Sequence, residues 1–184
     1  MLSKRERHLS DLRHLTLDSI ELEAYLLANS NLPGKRGNLE LAFTFADFIE
    51  EQYSIIPKSA LTFCKTLIIE NPHIKSITGS EEFLPFCGVL GIGRIGKIDA
   101  SKESMALNYV KNAAQDERWR LREAAAIAIQ DFIDARPEAT MALLQSWIHD
   151  DNYLLHRAIV AGIAEPRFMK KPENARIALE ISDY

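Results

Sequence analysis

Apolar residues recur along this chain at spacings of three and four, whereas an alternation of apolar and polar residues with a period of two is hard to find. Asp18 and Ser19 are placed to cap a first apolar helix that runs to about Ala28. Asn38 is placed to cap a second helix, from Leu39 to about Gln52. The pattern therefore predicts an all-α fold.

Prolines and a serine predict the next helix boundaries. Pro57 favours the first turn of a third helix, and Asn71-Pro72 should end that helix because the residue before a proline avoids helical dihedrals. A connector from His73 to Gly79 then leads to Ser80, which can cap a helix to about Lys97. The first half of the chain is thus expected to hold several helices with no visible repeat.

The segment 101–164 is predicted to form two helix pairs, and these pairs contain an internal repeat with an offset of 34 residues. The matched positions are Asp116 and Asp150, Trp119 and Tyr153, Leu121 and Leu155, and Ala124 and Ala158. Each copy reads as a helix, a tight turn at the aspartate and an apolar second helix. Such a unit cannot bury its own apolar face and must stack on a neighbour.

The turn aspartate followed six positions later by an arginine, as in Asp116 and Arg122, resembles the HEAT-repeat family. The resemblance implies a right-handed α-α superhelix, a HEAT-like helical repeat solenoid, in which the Asp and Arg form a structural ladder. His156 occupies the arginine position of the second copy. On this interpretation residues 1–184 form one helical-repeat domain, with degenerate N-terminal helices in 1–79 and clearer HEAT-like pairs in 80–184.

A second resemblance covers the segment from Leu121 to Trp147, which looks like part of the bacterial HEAT-like alkylpurine DNA glycosylases. There an apolar residue and an arginine open a helix, an aspartate follows nine positions later, a proline ends the connection and a tryptophan closes the next helix. The corresponding residues here are Leu121, Arg122, Asp131, Pro137 and Trp147. This resemblance implies DNA alkylation repair, or binding of modified DNA without base release.

Composition argues for a cytoplasmic protein with no membrane partner. The 22 Lys and Arg residues are balanced by 26 Asp and Glu residues, so no half of the chain is strongly basic. The two cysteines, Cys64 and Cys87, are widely spaced among apolar residues and are expected to be reduced and buried. No signal-peptide pattern or membrane-length apolar run occurs in the sequence.

Searches for catalytic and cofactor motifs give no positive result. Gly91 to Gly96 spells GxGxxG, but a dinucleotide site needs that motif between a strand and a helix, and no second strand is predicted. The glycines are instead expected to form a small-residue stripe where another helix packs closely. The five histidines show no metal-ligand spacing. We therefore expect no metal, no nucleotide and no other cofactor, and the sequence favours a non-enzymatic role over catalysis.

Seven residues are candidates for binding: Arg118, Trp119, Arg120, Arg122, Asp131, Trp147 and Arg157. The arginines could contact phosphates, or they could be a solvated helix start plus one ladder arginine. The two tryptophans could stack on a damaged base, or they could be core between repeats.

Acidic residues are expected on the outer face of the helix that follows Asp116. If its alanines face the core, that face carries Glu123, Asp131 and Asp134, which would repel DNA. The first hypothesis is accordingly a HEAT-repeat scaffold that binds a protein or peptide on its concave face. The alternative is a DNA alkylation repair protein or a non-catalytic relative.

Overall fold

The computed structural model describes residues 2–69 and 79–182, and every regular element within these ranges is helical. Two short 3-10 helices, Ser80–Glu82 and Ala100–Lys102, precede α5 and α6. The α-helices are α1 Lys4–Arg13, α2 Ile20–Ala28, α3 Leu39–Ile55, α4 Pro57–Ile69, α5 Phe83–Ile98, α6 Glu103–Ala114, α7 Trp119–Ala135, α8 Pro137–Trp147, α9 Tyr153–Ile163, α10 Pro166–Met169 and α11 Pro172–Ser182. The prediction of an all-α protein is confirmed for the described residues.

Two helix starts have the predicted caps, but the prediction of Ser80 as a cap is wrong, because Ser80 lies within the short 3-10 helix that follows Gly79 and precedes α5. The Ser19 hydroxyl accepts a hydrogen bond from the Leu22 amide, and the Asn38 side chain accepts one from the Leu41 amide. Pro57 begins α4 as predicted. The predicted end of this helix at Asn71-Pro72, and the connector up to residue 78, lie outside the described residues.

Contacts divide the chain into two compact units, an N-terminal unit of Met1–Ile95 and a C-terminal unit of Gly96–Tyr184. The boundary falls inside α5, whereas the sequence suggested a change of character near residue 79. That the whole chain forms one domain stays a prediction.

The core of the N-terminal unit is built from bulky side chains. Phe45, Phe48 and Phe63 are buried and packed as tilted or edge-on pairs. Helix α1 packs against α3, buries Leu12 and places Arg13 Nε 2.9 Å from a carboxylate oxygen of Glu51. This first helix is therefore docked on α3.

Glycines of the GxGxxG region lie inside α5 and allow close helix packing, as expected. A Cβ on Gly88 would come within 2.9 Å of the Cys64 carbonyl oxygen, and one on Gly91 would come within 2.6 Å of the Cys64 sulfur. These glycines are therefore where α4 approaches α5. Since this segment is helical, the strand that a dinucleotide site needs is not formed here.

The C-terminal unit is centred on α7, which packs against α6, α8 and α9. The α7 residues Leu121, Ala124, Ala125, Ala128 and Phe132 are all buried, as the sequence predicted. At the far end of α7, Arg136 donates to the carbonyl oxygens of Gly96 and Lys97 and lies 2.8 Å from a carboxylate oxygen of Glu103. Arg136 thus holds the last carbonyls of α5 and the start of α6.

Candidate functional site

Helices α7 and α9 run side by side in the same direction. At their N-terminal ends, Asn152 donates a hydrogen bond of 2.9 Å to the side-chain oxygen of Gln115. Further along, a Cβ on Gly162 would lie 2.8 Å from Ile129 Cγ2 and 3.2 Å from the carbonyl oxygen of Ala126. The residues in contact are 33 to 37 positions apart, close to the 34-residue offset, so the two helices are in register to within about one turn.

The turn before α7 is closed by its own residues. One carboxylate oxygen of Asp116 accepts hydrogen bonds of 2.8 Å from the Arg118 amide and Nε, and the other accepts one of 2.8 Å from Nη2. Arg122 instead donates to the carbonyl oxygens of Asp116 and Glu117, at 2.7 and 2.8 Å. The expected Asp–Arg ladder therefore has a different form here, because the nearer Arg118 binds the carboxylate.

Electrostatics at Asp116 reflect these bonds. Burial raises the pKa of this carboxyl, but the hydrogen bonds from the Arg118 side chain and amide, with the charges of Arg118 and Arg122, outweigh burial and lower the pKa overall. The carboxylate is thus held ionised. Two of the candidate cations, Arg118 and Arg122, are engaged within this turn.

The turn before α9 uses the same backbone bond but a cation from the preceding hairpin. Asp150 accepts a hydrogen bond of 3.2 Å from the Asn152 amide, as Asp116 does from the Arg118 amide. Its other carboxylate oxygen lies 3.0 Å from Lys111 Nζ, on α6. The hydrogen bond from Lys111 is the main reason why the pKa of Asp150 is lowered.

The remaining charged candidates lie in different surroundings. Arg120 is buried, and its guanidinium carbon lies 4.6 Å from the centre of the Trp119 ring. Asp131 lies 3.2 Å from Lys97 Nζ, which is also 3.9 Å from Asp134, so the expected acidic strip is partly neutralised. Of the four candidate arginines, Arg157 alone has an exposed side chain.

The two tryptophans differ. Trp147 is 8% exposed and lies 5.8 Å from Lys111 Nζ, which fits the interpretation as core between repeats. Trp119 is 41% exposed, and its sequence match Tyr153 is 73% exposed. The matched aromatic residues Trp119 and Tyr153 therefore both lie on the surface. The interpretation of Trp119 as core is wrong.

Four residues form what we call the aromatic face: Trp119 and Glu123 on α7, and Tyr153 and Arg157 on α9. Residues four apart share one side of a helix, and the two helices are in register, so the four side chains emerge on one side of the unit. Glu123 is half-buried, and burial raises its pKa while the charge of Arg120 opposes that shift. Sequence reasoning had not selected Glu123 or Tyr153 for binding, although their positions in the repeat could have indicated them.

A groove of about 490 Å³ lies elsewhere in this unit, between α6 and α8. Its lining residues are Ala100, Glu103, Ser104, Leu107, Asn108, Lys111, Leu143 and Trp147. It is thus bounded by the first helices of the two hairpins, whereas the aromatic face belongs to the second helices. Glu103 and Lys111 are already bound to Arg136 and Asp150.

Searches for a metal centre and for a membrane span gave nothing in the part of the chain that the structure covers. Among residues 2–69 and 79–182, no group of three or more His, Cys, Asp or Glu side chains is arranged to hold a metal ion. No helix there combines the length and the apolar character that crossing a bilayer requires.

Comparison with known proteins found no matching family model, no matching curated protein and no matching solved structure.

Proposed function

We propose that the C-terminal unit is a HEAT-like repeat scaffold that binds a protein or peptide segment on its aromatic face. The observation that carries this proposal is the exposure of Trp119 and Tyr153, 41% and 73%, at matched positions of two parallel helices. Exposed aromatic residues on a rigid helical surface are typical anchors of protein interfaces, because they bury a large area with little loss of side-chain entropy.

The packing of the two hairpins supports the superhelical part of the proposal. Helices α7 and α9 approach closely through small residues such as Ala126 and Gly162, while a groove separates α6 from α8. Helices that are close on one side and apart on the other make a stack curve toward the close side. In the proposed right-handed α-α superhelix, α7 and α9 line the concave surface.

The alternative, binding or repair of alkylated DNA, draws support from Trp119, whose exposed ring could stack on a base. Its electrostatic support is weaker. Arg118 and Arg122 are bonded within their turn, Arg120 is buried, and Glu123 lies on the same face. A duplex would need several cations free to pair with phosphates, so the peptide-binding proposal is preferred.

The test is a selection of displayed random peptides on the full chain, followed by fluorescence anisotropy with the selected peptides. Because anchor residues at interfaces carry about 2 kcal/mol or more, we expect Trp119→Ala and Tyr153→Ala each to weaken binding by about tenfold or more. Ile98→Ala is the matched control, since Ile98 is 40% exposed and lies outside the aromatic face. It should leave the affinity unchanged.

The competing hypothesis is tested with the same protein and labelled duplex DNA, unmodified or alkylated, at two salt concentrations. Salt-sensitive DNA binding that Trp119→Ala abolishes, with or without release of methylated bases, would replace the peptide proposal by the DNA alternative. Selected peptides whose affinity is equal in the wild type and both aromatic variants would remove the aromatic face as the site.

A further inference from the structure

Trp119 and Tyr153, the two aromatic residues of the aromatic face, are each accompanied by an exposed acid two positions earlier. Glu117 precedes Trp119 and Asp151 precedes Tyr153, and both acids are exposed. The two acids are themselves 34 residues apart, so each turn presents one acid–aromatic pair. Within residues 2–69 and 79–182, neither of these carboxylates is joined to a cation by an ion pair.

We propose that the segment bound at the aromatic face is a basic, extended peptide that places one Lys or Arg side chain at each acid–aromatic pair. This inference rests on the proposed function and adds the charge of the partner to it. A carboxylate attracts a cation, and an aromatic ring binds one through its face, so an exposed carboxylate and an exposed ring two residues apart in one turn offer both kinds of contact to a cationic side chain.

The charges at the two turns support a positively charged partner. The inner aspartates, Asp116 and Asp150, are already bonded to Arg118 and Lys111. The outer carboxylates, of Glu117 and Asp151, are the acidic groups at these turns that remain for a partner. The Trp119 ring already accepts one cation, because the Arg120 guanidinium lies 4.6 Å from its centre.

The spacing of the pairs fits an extended chain. Packed helix axes lie about 8–10 Å apart, so matched residues of α7 and α9 are separated by about that distance. An extended chain in the polyproline II conformation advances about 3.1 Å per residue with three residues per turn, so side chains three residues apart lie on the same side, about 9 Å apart. Arg157, one helical turn beyond Tyr153 on the same face, opposes a basic partner, and the carboxylate of Glu123 at the matched position of α7 offsets that charge.

The test uses labelled peptides with two Lys residues three positions apart in a Gly-Ser background, and versions with Gln or Glu in place of both lysines. We expect the Lys peptide to bind the full chain about tenfold more tightly than the Gln peptide at low salt, since two exposed ion pairs and two exposed cation–π contacts each add a little. The preference should decrease as salt is added, because salt screens exposed charges. The Glu peptide should bind more weakly than the Gln peptide.

Charge variants identify the residues responsible. The double substitution Glu117→Gln with Asp151→Asn should reduce the preference for Lys to about twofold or less, and Glu117→Lys with Asp151→Lys should reverse it in favour of the Glu peptide. Glu138→Gln is the control, because it removes one exposed negative charge at the start of α8, at the opposite end of α7 from these turns. It should leave the preference intact.

Failure of this inference is distinguishable from failure of the proposed function. If selected peptides lose affinity with Trp119→Ala but Lys, Gln and Glu peptides bind alike, the aromatic face stands and the basic partner is wrong. Tighter binding of the Glu peptide, or of duplex DNA, to the wild type would likewise overturn the basic partner. If no peptide binds the wild type, both proposals fall.

Discussion

The turns before α7 and α9 share one sequence pattern, but their aspartates are paired with cations from different places. In both, the aspartate accepts a hydrogen bond from the backbone amide two residues later. Asp116 then takes its cation from Arg118 within the same turn, whereas Asp150 takes it from Lys111 on the preceding hairpin. The first turn is closed on itself, and the second is a link between hairpins.

This difference shows that the hydrogen bond from the backbone amide is set by the local sequence, whereas the cation is not. An aspartate at the start of a turn can bond to a nearby amide whatever surrounds it, because the two groups are already close in the chain. The cation that neutralises it is chosen by tertiary packing. Substitutions should therefore affect the first turn locally, and should affect the second turn through the contact between hairpins.

The largest expected effect comes from disturbing the contact that keeps the two turns in register. Gly162→Val would place a branched side chain where even a Cβ lies 2.8 Å from Ile129 and 3.2 Å from the Ala126 carbonyl oxygen. Overpacking of this kind costs about 1–3 kcal/mol, which exceeds the few tenths gained because valine suits a helix better than glycine. We expect the free energy of unfolding to fall by about 2 kcal/mol in urea denaturation.

The control for this prediction is the adjacent substitution Ala161→Val, at an exposed position of the same helix. It should change the free energy of unfolding by no more than about 0.5 kcal/mol. Equal effects of the two substitutions would show that α7 and α9 do not meet closely at Gly162, and the argument for matched turns would then fail.

A smaller effect is expected from removing the turn aspartates, and it should be unequal. Asp116→Ala removes a half-buried carboxylate with bonds to the Arg118 amide and guanidinium, and should lower the free energy of unfolding by about 1–2 kcal/mol. Asp150→Ala removes a more exposed carboxylate and should lower it less. Thermal unfolding of the two variants side by side measures the difference, and a larger loss for Asp150→Ala would reverse the comparison.

Much of the fold could be predicted because its signals are local. The caps at Ser19 and Asn38 and the start at Pro57 depend on a few neighbouring residues, and the structure has them where the sequence predicted. The face that a helix buries depends on its partners. In α2, Leu22 and Leu26 are buried whereas the equally apolar Ile20 is exposed.

The candidate site was predictable only in part, for the same physical reason. The repeat matched Trp119 with Tyr153, but whether an aromatic match is core or surface is decided by how closely the second helices approach. Small residues bring α7 and α9 together along their inner side, and both rings remain outside. The predicted partner of the Asp116 carboxylate was Arg122, six residues later, but the carboxylate is bound by Arg118, which is nearer in the sequence.

Lowering the pH should reduce the contribution of Asp116 to the free energy of unfolding. The folded pKa is below the ordinary value of 3.8, so this carboxylate stabilises the protein above that pH, and the stabilisation is lost as pH falls through the folded value. The difference in unfolding free energy between wild type and Asp116→Asn should therefore be constant near neutral pH and decrease toward pH 3. A difference that grows on acidification would contradict the lowered pKa.

The smallest expected effect concerns the link between hairpins. Lys111→Met should lower the melting temperature slightly, and the decrease should shrink at high salt, because the bond from Lys111 to Asp150 is partly exposed. A double-mutant cycle gives the sharper measurement. Lys111→Met combined with Asp150→Asn should depart from additivity, and the departure should decrease with salt.

The cycle has a matched control in the other turn. Lys111→Met combined with Asp116→Asn should be additive within about 0.5 kcal/mol, since Asp116 is bonded to Arg118 and not to Lys111. Coupling of Lys111 to both aspartates would mean that the two turns share one electrostatic network. Because Asp150, unlike Asp116, draws its cation from another hairpin, coupling confined to the Lys111–Asp150 pair would identify it as an ion pair that joins the hairpins, beside the hydrogen bond from Asn152 to Gln115.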